Sequence, residues 1–287
     1  MNPARLISWF DAHARELPWR EPGTTPWGVL VSEVMLQQTP VHRVVGIWVE
    51  WLTRWPTPSS LAAETPGTVV RAWGKLGYPR RALRLHTAAS AIATQHDDTV
   101  PAEVDVLLAL PGIGAYTARA VAAFGYGHRV PVVDTNVRRV VARAVHGLAD
   151  AGAPSTARDL SDVDGVLPQE QAARFSAALM ELGAVVCTAQ RPLCADCPLA
   201  AGCMWLRSGR PAGAGRDRPA QRFAGTDRQV RGLLLDVVRA AADPVPRAHL
   251  DAVWRDVSQR DRCLHSLLID GLMERTRDGR FALPGEH

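Results

Sequence analysis

The sequence predicts an all-α protein of two helical domains, followed by a small module of three helices and a hairpin. Three observations carry this. Apolar residues recur at helical spacing up to Trp205, and no alternating strand pattern of any length occurs before residue 270. Residues 207–222 are Arg, Gly, Ala and Pro with almost no large apolar side chain, which reads as a linker. The 287 residues set a prior of about two domains, and 47% apolar with 22% charged residues argues for packed cores.

In order along the chain, Leu6, Phe10 and His13 share one face of a first helix. Pro26 after Thr24-Thr25, and Pro40 after Thr39, stand where proline starts helices. Further helices are expected over 59–63, 66–73, 82–95, 103–108, 116–124, 136–145 and 169–185. Past the linker, 229–241, 247–254 and 260–270 read as helices, and 272–283 as a hairpin turning at Asp278-Gly279. This pattern is winged-helix-like, with Trp254, Leu264, Leu267, Leu268 and Phe281 as its expected core. No apolar run reaches the roughly 18 residues of a membrane span. Residues 1–11 lack a signal-peptide order, so a cytoplasmic protein without a membrane partner is expected.

The net charge is +4, and of 33 basic residues only Lys75 is lysine. Arginine favours bidentate phosphate contacts, although genome composition produces the same bias. The linker holds five arginines against Asp217, an excess equal to the whole net charge, and reads either as a solvated tether or as a phosphate contact.

Four of the five cysteines are clustered as Cys187-x6-Cys194-x2-Cys197-x5-Cys203, a spacing that points to a metal centre rather than disulfides. Four thiolates suit one zinc or a [4Fe–4S] cubane, and the spacing leaves both open. A zinc deaminase is excluded, because none of the nine histidines begins a His-x-Glu. Cys263 stands alone and is expected to be dispensable.

Leu110-Pro111-Gly112-Ile113-Gly114 lies between two helical segments. Gly112 and Gly114 allow backbone N–H groups to approach a phosphate at a helix start. The same turn also serves as an ordinary helix connector. Glu33 lies in an apolar helix, with Gln37 one turn later and Gln38 beside it, a polar stripe able to hydrogen-bond a base edge. Asp134 ends the apolar run Val132-Val133 just before a helix, which also suits an N-cap.

Read together, Leu17-Pro18-Trp19-Arg20, Ser32-Glu33-Val34-Met35-Leu36-Gln37-Gln38-Thr39, Leu76-Gly77-Tyr78, the glycine hairpin, Val133-Asp134-Thr135-Asn136-Val137, Met180-Glu181-Leu182-Gly183 and the cysteines form one ordered set. That set resembles the MutY-type adenine DNA glycosylases of the helix-hairpin-helix, endonuclease III-like superfamily, over roughly residues 5–205. The resemblance implies an iron–sulfur domain of 1–20 with 127–205, and a six-helix domain of 21–126 containing the hairpin. The linker is then 206–227 and the module 228–287. The implied metal is a [4Fe–4S] cluster on Cys187, Cys194, Cys197 and Cys203, shaping a loop that carries Arg191 to DNA. The implied partner is double-stranded DNA with adenine mispaired with 8-oxoguanine or guanine, bound by a monomer.

By the same resemblance Glu33 is the general acid that protonates the adenine, which requires burial to raise its affinity for a proton. Asp134 stabilises or bonds to the oxocarbenium sugar, and Tyr116 and Asn136 support the site. Gln38 and Tyr78 match positions at the duplex wedge, Gln37 is expected to contribute to binding of the DNA or base, and Arg15, Trp19, Arg20 and Glu181 match positions near the adenine pocket. An endonuclease III-like lyase would place its lysine at 116, which is tyrosine here, so a monofunctional enzyme is expected. A thymine-excising relative would lack the acid at Glu33. A metal-dependent DNA-binding regulator would combine zinc with the tail, but residues 228–287 carry ten arginines against nine acids and lack a basic footprint. Longer family members end in a domain that reads 8-oxoguanine; the tail here is about half that size and does not resemble it.

Overall fold

The computed structural model describes residues 1–213 and 223–287. Among them the helices are α1 (Pro3–His13), α2 (Pro26–Leu36), α3 (Val41–Arg54), α4 (Pro58–Ala62), α5 (Pro66–Trp73), α6 (Arg80–Gln95), α7 (Val104–Ala109), α8 (Ala115–Tyr126), α9 (Thr135–Ala144), α10 (Thr156–Asp164), α11 (Ala172–Val185), α12 (Met204–Arg207), α13 (Asp227–Ala240), α14 (Arg247–Asp251) and α15 (Val257–Ile269). Two short antiparallel strands, β1 (Glu274–Arg275) and β2 (Phe281–Ala282), form the hairpin. None of these helices is long and apolar enough to cross a membrane. Arg216, Asp217, Arg218 and Arg222 of the linker lie outside the described residues.

Local chemistry places the helix starts. Proline occupies the first turn of α1, α4 and α5, where its missing N–H costs nothing, and Asn2, Thr57, Thr65, Thr226 and Asp256 cap free backbone N–H groups. Three expectations need correction. Helix α10 was not anticipated, because its few apolar residues follow a loop-like Ala-Gly-Ala-Pro-Ser run; tertiary packing of the buried Val163 holds it. Helix α11 begins at Ala172 rather than 169, since Gln171 takes a left-handed φ of 56°. Helix α14 stops at Asp251, so Trp254 lies beyond it and is only half-buried.

The chain divides into two compact units. The first holds Met1–Val29, Ala102–Leu108 and 114–213. Its core packs α1 against α11 and α11 against α9 through Leu6, Phe10, Val137, Val141, Phe175 and Leu179. Helix α8 joins it, because Ala120 and Ala123 pack with Val132 and Met180. Compactness therefore groups α8 with the cysteine-bearing region, whereas the expected segments set 21–126 apart.

The second unit holds Leu30–Pro101, Ala109–Ile113 and 223–287. Helices α4 and α5 pack on α6, and Trp51 meets Trp55 and Trp73 edge-on at 4.9 and 5.5 Å. The tail belongs to this unit rather than standing apart. Gly67 N donates to Pro284 O at 2.7 Å, Arg71 pairs with Glu286 and donates to the Arg239 and Ala241 carbonyls, and Arg239 Nε donates to Val70 O. Within the tail, α13 packs on α15, and an isolated bridge from Val245 to Phe281 extends the hairpin. Leu264, Leu267 and Phe281 are buried as expected, but Leu268 is only half-buried. Cys263 is buried among them.

Candidate active site

Helix α2 buries nearly every side chain from Trp27 to Met35, and Glu33 is 6% exposed among them. A carboxyl is seldom placed on such a helix without a task, because burying it forfeits hydration. Gln37 and Gln38 do not continue the helix. Helix α2 ends at Leu36, and Gln38 takes a left-handed φ of 55°, so the expected helical stripe becomes a turn.

Arg81, which sequence reasoning missed, causes this ending. Its side chain is buried in α6. Nη1 donates to the carbonyls of Val34, Met35 and Gln37 at 2.8, 2.9 and 2.6 Å. Nη2 donates to Thr39 Oγ1 and Gly77 O at 2.8 and 2.9 Å. One guanidinium thus satisfies the carbonyls a helix C-terminus leaves open and ties the turn at Gln38 to the turn at Tyr78. Burial lowers its pKa to about 10, leaving it charged at neutral pH. Tyr78 also has a left-handed φ, 46°, and is 45% exposed. Two exposed side chains on left-handed turns are thus joined through one buried guanidinium. The legible signal was an arginine on the apolar face of α6, three residues after Tyr78.

The hairpin rests on α6. Gly112 has φ 76°, and a Cβ there would lie 2.8 Å from Arg84 Cβ, so the turn needs glycine for both conformation and space. Gly114 precedes α8 as its N-cap and offers no side-chain cap, so the positive end of the helix dipole lies at an exposed glycine. Tyr116, in that turn, packs beside Ala120, Ala123 and Val132.

Asp134 is the N-cap of α9, as one of its two readings expected. That role engages one oxygen, Oδ1, which accepts from Val137 N at 2.7 Å; Oδ2 accepts from Asn136 Nδ2 at 2.8 Å. Asn136 Oδ1 accepts in turn from Arg139 Nη2 at 2.7 Å, and Arg139 donates to the carbonyls of Gly183 and Cys187. Burial pushes the Asp134 carboxyl above its ordinary value, opposed by the Val137 and Asn136 donors and the Arg139 charge. Gly183 permits the close approach of α11, since a Cβ would stand 2.6 Å from Asn136 Cβ. The chain Asp134–Asn136–Arg139 thereby connects this carboxylate to the backbone at Cys187.

Glu181 is fully buried and fully engaged. It accepts from Arg15 N, Nε and Nη2 at 3.2, 2.6 and 2.9 Å and from Arg20 Nη2 at 2.9 Å. The structure therefore uses it to hold Arg15 and the Pro18–Arg20 turn that carries Trp19. Burial works to raise its pKa, yet the two arginines hold it down to about 2. The folded value lies below the ordinary 4.5, so this stabilisation is present above pH 4.5 and is lost as pH falls towards 2. Glu181→Ala is expected to cost about 2–3 kcal/mol, because it opens a buried void and removes the shared partner of two arginines that are themselves only partly exposed. Urea unfolding checks this; a cost below about 1 kcal/mol would contradict the pairing.

The cysteines close this side of the first unit. Arg143 Nη1 lies 3.5 Å from Cys187 Sγ, and Cys203 Sγ donates to Arg143 O at 3.6 Å. The Arg143 guanidinium also lies over the Trp205 ring at 4.6 Å and donates to Thr188 and Ala189 carbonyls. Burial pushes the Cys197 thiol up to about 11, and the charges of Cys187, Cys203 and Cys194 push the same way. Among the described residues, no group of three or more His, Cys, Asp or Glu is arranged to hold a metal ion.

Residues 31–162 match the family of HhH-GPD superfamily base excision DNA repair proteins. The chain is 60% identical to an adenine DNA glycosylase of Mycobacterium tuberculosis, over all of this chain and 94% of that one. It is 62% identical to the Mycolicibacterium smegmatis adenine DNA glycosylase, over all of this chain and 97% of that one. Its fold is similar to a thermostable thymine-DNA glycosylase at TM-score 0.65 and 22% identity, covering 72% of this chain and 95% of that one.

Proposed function

The chain belongs to the adenine DNA glycosylases of the HhH-GPD superfamily, and from that premise we propose how its residues perform base excision. It is a base excision repair enzyme, a DNA N-glycosylase that hydrolyses the bond between adenine and deoxyribose. The observation that carries the assignment of roles is the burial of Glu33 in an apolar helix. The C1′–N bond breaks with its electron pair leaving on the adenine. Glu33 delivers a proton to a ring nitrogen of the departing base and regains one from the water that adds to C1′. The Asp134 carboxylate faces the positive charge that C1′ acquires, aimed by Val137 N–H and Asn136. Tyr116 offers no amine for a Schiff base, so the strand stays intact after base release.

The substrate we infer is duplex DNA with adenine opposite guanine or 8-oxoguanine, gripped without sequence reading by Gly112, Gly114 and the first turn of α8, and wedged by Gln38 and Tyr78. A mispair lowers the cost of extruding the base. Cys187, Cys194, Cys197 and Cys203 would hold a [4Fe–4S] cluster, which supplies a compact anionic cross-link of the loop. The chemistry of the donor set supports this reading: four thiols on one loop, with Arg143 beside Cys187 and Cys203 to offset thiolate charge and Arg139 bonded to the Cys187 carbonyl.

Single-turnover assays with adenine opposite guanine, 8-oxoguanine, cytosine and thymine test the reading. Free adenine should be released fastest opposite the two purines. Thymine released from a guanine mispair in preference to adenine would overturn it. The purified protein should carry about four iron and four sulfide per chain; stoichiometric zinc without iron would remove the cluster.

A further inference from the structure

The tail carries ten arginines, and the structure sorts them. Six, including Arg260 and Arg262 of α15 and Arg280 of the hairpin, pair with aspartates. Helix α15 follows α14 where a helix-turn-helix would place its groove-reading helix, yet both of its arginines are neutralised. Arg228, in the first turn of α13, differs. It is exposed, and among the described residues it has no acidic partner; the neighbouring Asp227 is held by Arg262 and Gln259.

Its guanidinium instead meets the hydroxyl of one exposed aromatic residue and the ring of another. Arg228 Nη1 donates to Tyr78 Oη at 3.4 Å, and its Cζ lies 5.1 Å from the Phe223 ring centroid. Tyr78 and Phe223 are 45% and 52% exposed. A guanidinium has five donors in a rigid fork, so one bond to Tyr78 leaves most of it facing solvent. The Tyr78 hydroxyl and the Phe223 ring restrain the side chain, which reduces the entropy lost when it meets an anion.

We propose that Arg228 grips a DNA phosphate beside Tyr78, so that the tail meets the duplex through the first turn of α13 and not through α15 or the hairpin. This rests on Tyr78 lying at the DNA face. The winged-helix-like module then extends the grip of the wedge, and its nearly balanced charge is no obstacle, because one correctly placed cation is enough for one phosphate.

The test is equilibrium binding to a duplex carrying guanine opposite 2′-fluoroadenosine, whose glycosidic bond resists cleavage, measured across a range of NaCl concentrations. Arg228→Ala should weaken binding about five- to ten-fold and reduce the slope of log Kd against log salt by about 1. Arg277→Ala, at the exposed hairpin turn, should leave the slope unchanged. An unchanged slope for Arg228→Ala overturns the proposal. So does an equal fall in both variants, since the tail would then act only through its summed charge. Tight binding by a wild-type protein that released no adenine would sink the glycosylase reading instead and leave the slope comparison decisive for Arg228.

Discussion

Glu33→Gln is expected to slow adenine release by about 10² to 10⁴ at saturating enzyme while leaving affinity for the mispaired duplex nearly unchanged. The amide keeps the shape of the carboxyl and removes the transferable proton. Position 33 is buried between Ser32 and Val34 in a helix that contributes to the core, so an isosteric change there disturbs packing little. Thermal unfolding of the variant separates chemistry from folding. Single-turnover kinetics read the rate, and a variant within a factor of about three of wild type would falsify the assignment of the general acid.

Asp134→Asn should be comparably slow, by about 10² to 10³, because a neutral amide stabilises a developing cation poorly. It should also change the pH profile. Burial sets the Asp134 carboxyl above its ordinary 3.8, and the charged form is the one that opposes the sugar cation. The wild-type rate therefore falls as pH drops through that raised value, giving an acid limb centred above 3.8. The limb should vanish in Asp134→Asn. Asn136→Ala removes a donor that favours the charged carboxylate, so it should move the limb to higher pH. A limb unmoved by either variant would show that another group governs it.

How much of this was legible in one dimension follows from what each feature is made of. The helical class, the hairpin at Leu110–Gly114, the four-cysteine spacing and the Glu33 block are all written within short stretches. There, covalent connectivity already brings the residues together, and proline, glycine and cap residues mark the ends. The wing turn at Gly279 was legible for the same reason. Helix α10 was not, because its few apolar residues mean little until Val163 has a core to enter.

The sequence by itself determined the family, the candidate acid, the candidate aspartate and the thiol set. Only the tertiary structure decided what holds them. Arg81 reaches back more than forty residues to end α2 and shape both exposed turns. Glu181 anchors Arg15 and Arg20, more than 160 residues away. Arg71 fastens the tail to α5, and Arg228 meets Tyr78 across 150 positions. These are charge and hydrogen-bond pairings with no periodicity and no fixed spacing. A buried or restrained guanidinium chooses its partners only after packing has removed water and brought distant backbone carbonyls and carboxylates within reach.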